Sequence, residues 1–295
     1  MKSIKHTNVH RPFRDSKSKC MQVIAVTSGK GGVGKTSLSF NTAVALAQQG
    51  RSVLLLDADF GLANLDVMLG VRVKQNLSHV IAGQAELKEI IYEGVHGIKL
   101  IPAASGRLDM AQLSIQQQAS IIHAVNDLEI DFDTLIIDTA AGLSSSMFNL
   151  TSASQHVVIV MTDEPTSLTD AYALVKLLHR HYQVSHFKVV MNMAKDLASG
   201  MDTFMKLRKV SDTFLDVTLD LIATVPFDEH VRQSIRRQKS VIDLYPSASS
   251  AYAYHHLARQ FESWPLAQKT EGHLQFLFEK ILQQKHHLNE GLYCE

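Results

Sequence analysis

Cysteine is nearly absent from this 295-residue chain: there are two, Cys20 and Cys294, near opposite ends. They form no CxxC pair and no zinc spacing, so a disulfide framework and a structural zinc site are excluded and a reducing compartment fits. Net charge is also missing. Lys and Arg number 29 and so do Asp and Glu, giving +0 at pH 7. No global field draws the chain to nucleic acid or acidic lipid, and no specific nucleic-acid binding is expected. The first twenty residues hold no apolar run, so no signal peptide is read there. No run of about 18 apolar residues exists, so no transmembrane helix is expected. The expected location is the cytoplasm.

What is present has the ordinary balance of a globular protein, 45% hydrophobic and 20% charged. Residues 1–20 carry six Lys or Arg against one Asp, which reads as a flexible basic tail, either solvated or a contact arm. From Gln22 short apolar runs alternate with helical patterns. The runs are 23–27, 53–57, 98–102, 134–138, 156–161, 187–192 and 220–226. They are apolar on both faces, as buried parallel strands are. Helical patterns fall at 36–49, 116–128, 168–181, 201–213 and 230–238. The alternation predicts an α/β fold: a single P-loop domain over 21–264, with a mostly parallel twisted sheet flanked by helices. Trp264 and Pro265 close that body, and a polar stretch leads to a C-terminal amphipathic helix at 272–288.

The first run enters Ser28-Gly29-Lys30-Gly31-Gly32-Val33-Gly34-Lys35-Thr36 and then a helix, which satisfies GxxxxGK[ST] in its strand–loop–helix setting. The glycines let successive backbone N–H groups turn onto phosphate oxygens. The helix adds its positive N-terminal end. Gly29, Gly31, Gly32, Val33, Gly34, Lys35, Thr36 and Ser37 are therefore the expected phosphate-side residues for ATP. Lys35 reaches the outer phosphates, and the Thr36 hydroxyl ligates magnesium. Lys30 is a second lysine that an ordinary P-loop does not need. Held on the rim, it reads either as a solvated surface lysine or as a cation for the phosphates of a facing subunit. Asp57 and Asp138 end two of the apolar runs, where carboxylates face the ligand crevice of an open α/β sheet. With Thr36 they are the candidate magnesium residues, and Asp138 suits the Walker B role. Asp59 is placed to orient the attacking water or to accept its proton. Each aspartate also fits a strand-end cap.

KGGVGKT with Lys30, DADFGLANLD at 57–66 and IIDTAAG at 136–142 resemble the deviant Walker A ATPases of the MinD/ParA family. The resemblance implies a dimer closed face to face by ATP, with each signature lysine touching the other subunit's phosphates. By match, Lys30 is that lysine, Lys35 the P-loop lysine, Asp59 the catalytic switch aspartate and Asp138 the Walker B aspartate. Asn192, Pro226, Phe227 and Asp228 match the adenine-side segments. Within the family, TDEPTSLTDAYALVKLL (162–178), SWPL (263–266) and GHLQFLFEKI (272–281) are similar to the flagellar number regulators of the FleN or FlhG type. That branch implies slow hydrolysis and restraint of a FleQ- or FlrA-type flagellar activator. It also implies membrane residence, at the inner face and the cell pole, through residues 272–288. The FlhF GTPase is a further partner in the branch. Residues 1–20 lack the DQAxxLR segment that accompanies stimulation of that GTPase.

Leu274, Leu277, Phe278, Ile281 and Leu282 share one helical face. It reads as a face docked on the body or laid on the membrane. Other readings compete. A MinD-like spatial regulator or ParA-like partitioner would use the same chemistry with other partners. An iron–sulfur protein of this fold lacks the cysteine ligands here. A tyrosine kinase of this fold would carry a C-terminal tyrosine cluster, whereas this chain ends LYCE. The 15 histidines show no metal-ligand context. Arg232, Arg236 and Arg237 make a small basic face beside Asp228 and Glu229.

Overall fold

The strands form where apolar residues fill both sides of the backbone. In β1 (Gln22–Ser28) every residue is buried. Ile24 and Val26 enter one core cluster and Val23 another, because successive side chains leave a strand on opposite faces. The same division holds in β2 (Val53–Ala58), where Leu55 faces one layer and Leu54 and Leu56 the other. The computed structural model describes residues 21–60, 64–104, 113–126, 128 and 132–264. The basic tail, the 272–288 helix and both cysteines lie outside the described residues.

The remaining strands are β3 (Tyr92–Glu93), β4 (Lys99–Ile101), β5 (Thr134–Ala141), β6 (His156–Met161), β7 (His186–Ala194) and β8 (Thr218–Pro226). They form one eight-stranded sheet in the order β3-β4-β2-β5-β1-β6-β7-β8. Every pairing is parallel except β3 with β4. The expected α/β sheet is present, with the short antiparallel edge β3 as an addition.

The helices are α1 (Lys35–Gln48), α2 (Leu65–Leu69), α3 (Leu77–Ile81), α4 (Ile115–Asn126) and α5 (Ser145–Ala153). After them come α6 (Pro165–Tyr182), α7 (Leu197–Phe214), α8 (Glu229–Arg236), α9 (Val241–Leu244) and α10 (Ser249–Ser263). One face of the sheet carries α1 and α10, whose Leu38, Val44, Leu257 and Phe261 join Ile24 and Leu55 in a single core. The other face carries α4 and α5 on one half and α6 and α7 on the other. Tyr254 of α10 is fully buried, its hydroxyl pushed up to about 12 by burial despite a hydrogen bond with Ser37. That bond ties α10 to the first turn of α1. Trp264 packs on Phe261 and His156 beneath the sheet.

The helical patterns at 36–49, 116–128, 168–181, 201–213 and 230–238 correspond to α1, α4, α6, α7 and α8, with shifted ends. α8 stops at Arg236 because Gln238 takes a left-handed φ of 52°. Helices α5 and α10 carry no expectation from the sequence. In α5 the residues from Ser146 to Ala153 are buried all round, so no polar face marks the helical period.

Candidate nucleotide site

All strands of this sheet except the antiparallel edge β3 point their carboxyl ends to one edge, and β1 sits between β5 and β6. The loops after β1, β2, β5 and β7 therefore meet over the same crevice. Residues 29–34 make the loop between β1 and α1. Gly34 takes φ +88°, and the amide nitrogen of Asn192 lies where its side chain would begin, 2.4 Å from an ideal Cβ. Asn192, at the end of β7, donates to the Val33 carbonyl at 2.7 Å. Gly29 runs against α6: a Cβ there would lie 2.3 Å from the Asp170 carbonyl oxygen. Glycine is required at both positions, once for φ and once for close approach.

Lys35 is buried, and its Nζ donates to Ser28 Oγ at 3.1 Å. Burial lowers its pKa, opposed by Asp138 and Asp59. Asp138 and Asp57 are each 1% exposed and sit side by side in the β2–β5 register. Burial raises Asp138 to about 6, against hydrogen bonds from Thr36 and Ser39 and the charge of Lys35. Burial and the neighbouring Asp138 raise Asp57 to about 8, against three backbone hydrogen bonds.

The two buried carboxylates differ in what they do. Asp138 accepts from side chains at the start of α1, including Ser39 at 3.1 Å. Asp57 accepts from the backbone N–H groups of Asp59, Asn64 and Leu65 at 3.1–3.2 Å. Its oxygens therefore fix the turn into α2. Asp59 is half-buried on that turn, beside the lysine it affects.

Burial is the first cause of both raised carboxyl pKa values; Asp138 adds to the rise at Asp57, and Thr36, Lys35 and Ser39 oppose it at Asp138. The Thr36 hydroxyl and the Asp138 carboxylate it bonds are hard oxygen donors of the kind that fit magnesium. Above them the loop backbone and the N-terminus of α1 fit phosphates.

Lys30 points the other way from Lys35. Its ammonium pairs with Glu164 and donates to Thr166 Oγ1 at 2.9 Å, both at the start of α6. Beside the loop and the first turn of α1, a small pocket is lined by Ser37, Asn192, Met193, Pro226, Phe227 and Asp228, among others. Phe227 is 56% exposed there. Asp228 instead caps α8 through His230 N–H and binds Ser250 of α10. It is a wall of the pocket with its oxygens turned inward.

The structure thus gathers Lys35, Thr36, Asp57, Asp59 and Asp138 in one cluster. Lys30 stands on its rim, and Asn192 to Asp228 form a separate flank. Ser28, Ser39, Glu164 and Thr166 complete the hydrogen bonding and were not picked out from the sequence. Ser39 alone left a signal, since it lies three residues after Thr36 on one helical face.

The AAA domain family model matches residues 21–191. The antiactivator FleN of Pseudomonas aeruginosa is 46% identical over 263 residues, covering 89% of this chain and 94% of the relative. The flagellum site-determining protein YlxH of Helicobacter pylori is 31% identical, covering 94% of this chain and 95% of the relative. Among solved structures, the septum site-determining protein MinD with Mg-ADP from Pyrococcus horikoshii matches at TM-score 0.68 and 25% identity. That match covers 82% of this chain and 96% of the other. A P-loop with a second lysine on its rim, matched in sequence and in fold over most of the chain, has one consequence: the chain belongs to the MinD/ParA family of P-loop ATPases, in the branch that holds FleN.

Proposed function

We propose that this protein is an ATP-driven dimerisation switch that sets flagellar number by restraining a FleQ- or FlrA-type activator. The observation that carries this is the split between its two lysines. Lys35 is buried inside the loop, while Lys30 is directed outward along the rim. In this reading a second protomer brings its phosphates to a lysine so placed. The 46% identity to an antiactivator supports the flagellar role.

In this reading Lys35 and the N–H groups of Gly29 to Ser37 hold the phosphates. Thr36 and Asp138 would hold magnesium, and Asp57 supports the site by fixing the Asp59 turn. Magnesium, when bound, neutralises charge on the transferring phosphate. Asp59 orients the attacking water and takes its proton. Asn192, Pro226, Phe227 and Asp228 flank the base. Lys30 completes the charge shell in trans, as an arginine finger does. Hydrolysis is slow because it waits for assembly, and product release returns monomers. Residues 272–288 add membrane affinity that doubles up in the dimer, placing it at the inner face of the membrane and the pole. FlhF is a further proposed partner.

The word "site-determining" in the name of YlxH and the fold match to MinD favour a second reading, in which the same switch marks a position in the cell. Light scattering after size exclusion separates the switch from a constitutive state. A monomer with ADP and a dimer with a non-hydrolysable ATP analogue are expected, and Lys30→Ala is expected to stay monomeric in both. A Lys30→Ala protein that dimerises and turns over like the wild type refutes the switch. Added activator ATPase domain should co-elute with the dimer alone.

A further inference from the structure

The strand that carries Asn192 breaks its register one residue later. Between Met191 and Ala194, β7 slips against β8, and Met193 takes a left-handed φ of 54°. A residue with a Cβ is strained there, so its surroundings must impose the conformation. They do so from both sides. Asn192 is buried and pinned by its bond to the Val33 carbonyl, and the carbonyl of buried Ala194 accepts from Phe227 N–H at 2.9 Å. Met193 is thereby thrust out of the strand, 39% exposed, with its terminal methyl 3.0 Å from where a Cβ on Gly34 would stand. A bulge of this kind re-aims a side chain. Here it aims a thioether into the small pocket beside Pro226 and Phe227. That pocket holds about 40 Å³, room for a few waters and too little for a purine base. A wall must yield when a base enters. Tyr254 and Val225 are fixed in the core, and Asp228 is tied to Ser250. The exposed walls are Met193 and Phe227. Phe227 carries a rigid ring, whereas the unbranched, freely rotating chain of Met193 can swing aside and close again over the base.

We infer that Met193 is an oxidation site that governs nucleotide loading: hydrogen peroxide converts its thioether to the sulfoxide, and the sulfoxide loosens the grip on the base. The inference rests on the reading of this flank as the base site and adds an oxidant-sensitive wall to it. In the reaction one peroxide oxygen bonds to Sδ, the O–O bond breaks, and the other oxygen leaves as water. Sulfur is oxidised and peroxide is reduced, with no further reagent. A thioether against an aromatic ring contributes about 0.3–1.5 kcal/mol, so its loss weakens binding roughly 1.7- to thirteenfold. The sulfoxide is polar, and closing it over a base strips water from its S=O group. Met201 and Met205 on α7 are 47% and 48% exposed and stand outside the pocket. They meter the oxidant without sensing the base.

The test uses the full-length protein with magnesium and ADP, so that the proposed closure of the dimer by ATP does not enter. First, the protein is treated with hydrogen peroxide with and without ADP, and the sulfoxide at each methionine is read by peptide mass spectrometry. Saturating ADP should slow oxidation of Met193 severalfold and leave Met201 and Met205 as they were. Second, ADP affinity is titrated before and after peroxide in wild type and in Met193→Leu. Wild type should weaken roughly 1.7- to thirteenfold and recover with methionine sulfoxide reductase. Met193→Leu should show no change on treatment, whatever its starting affinity. Oxidation of Met193 that ADP does not slow overturns the inference. So does a wild type whose affinity survives oxidation of Met193, or an equal loss in Met193→Leu. Phe227→Ala separates such a failure from failure of the base-site reading. Weakened ADP binding in that variant keeps the flank as the base site, and unchanged binding removes the flank and the role of Met193 together.

Discussion

Gly34 shows how narrowly one residue is constrained. Its φ of +88° already disfavours any side chain, and the Asn192 amide occupies the place of a Cβ. Gly34→Ala is expected to lose about 1–2 kcal/mol of stability from the left-handed backbone alone. It also pushes Asn192 off the Val33 carbonyl. Thermal unfolding and calorimetric ATP-analogue titration check both, and a variant that keeps wild-type affinity contradicts the assigned loop geometry. The paired aspartates make a related point. Asp57 and Asp138 are register partners on adjacent strands, Asp57 next to last in β2 and Asp138 three residues short of the end of β5. Partners alone separate them: backbone N–H groups for one, hydroxyls of α1 for the other.

At the scale of elements, Asp228 joins two helices across 22 residues. Burial raises its pKa, but bonds from Ser250 and His230 outweigh that and hold it down at about 2. A carboxyl lower in the fold than its ordinary 3.8 stabilises the fold above that ordinary value. The contribution drains away as pH falls from there through about 2. Asp228→Asn is expected to cost about 1–2 kcal/mol at neutral pH. It should also flatten the acid limb of stability between those two values. Denaturant melts across pH measure it, and an unaltered acid limb refutes the cap.

For the molecule as a whole, the underside of the sheet carries a titrating group far from the nucleotide. His156 starts β6, packs on Trp264 at 4.7 Å, and is held down at about 4 by burial and by Lys188. Lys188 is itself paired with Asp220 on β8 and lies over the Trp264 ring. The unfolded histidine takes its proton near 6.5 and the folded one near 4. Stability is therefore full above the higher value and falls as pH drops toward the lower. Allowing for solvent around a half-buried ring, the loss is about 1–2 kcal/mol. His156→Phe is expected to abolish this step in a pH series of urea melts. A step that survives in the variant belongs to another group.

The sequence by itself determined the parallel strands, the loop and the charge inventory. Each parallel strand is a short apolar run, because burial on both faces leaves no other composition. Gly29 to Thr36 are contiguous, so a linear motif captures them. The tertiary structure alone decided everything that depends on residues far apart meeting. Helix α5 left no trace, because burial on all sides erases periodicity. The short helices α2, α3 and α9 and the two-residue strand β3 are too brief to show a period. Ser39 reaches Asp138 across 99 residues, and Thr166 reaches Lys30 across 136. Such contacts are fixed by strand order, which places β6 and α6 beside the loop that β1 begins, and no local pattern encodes that neighbourhood.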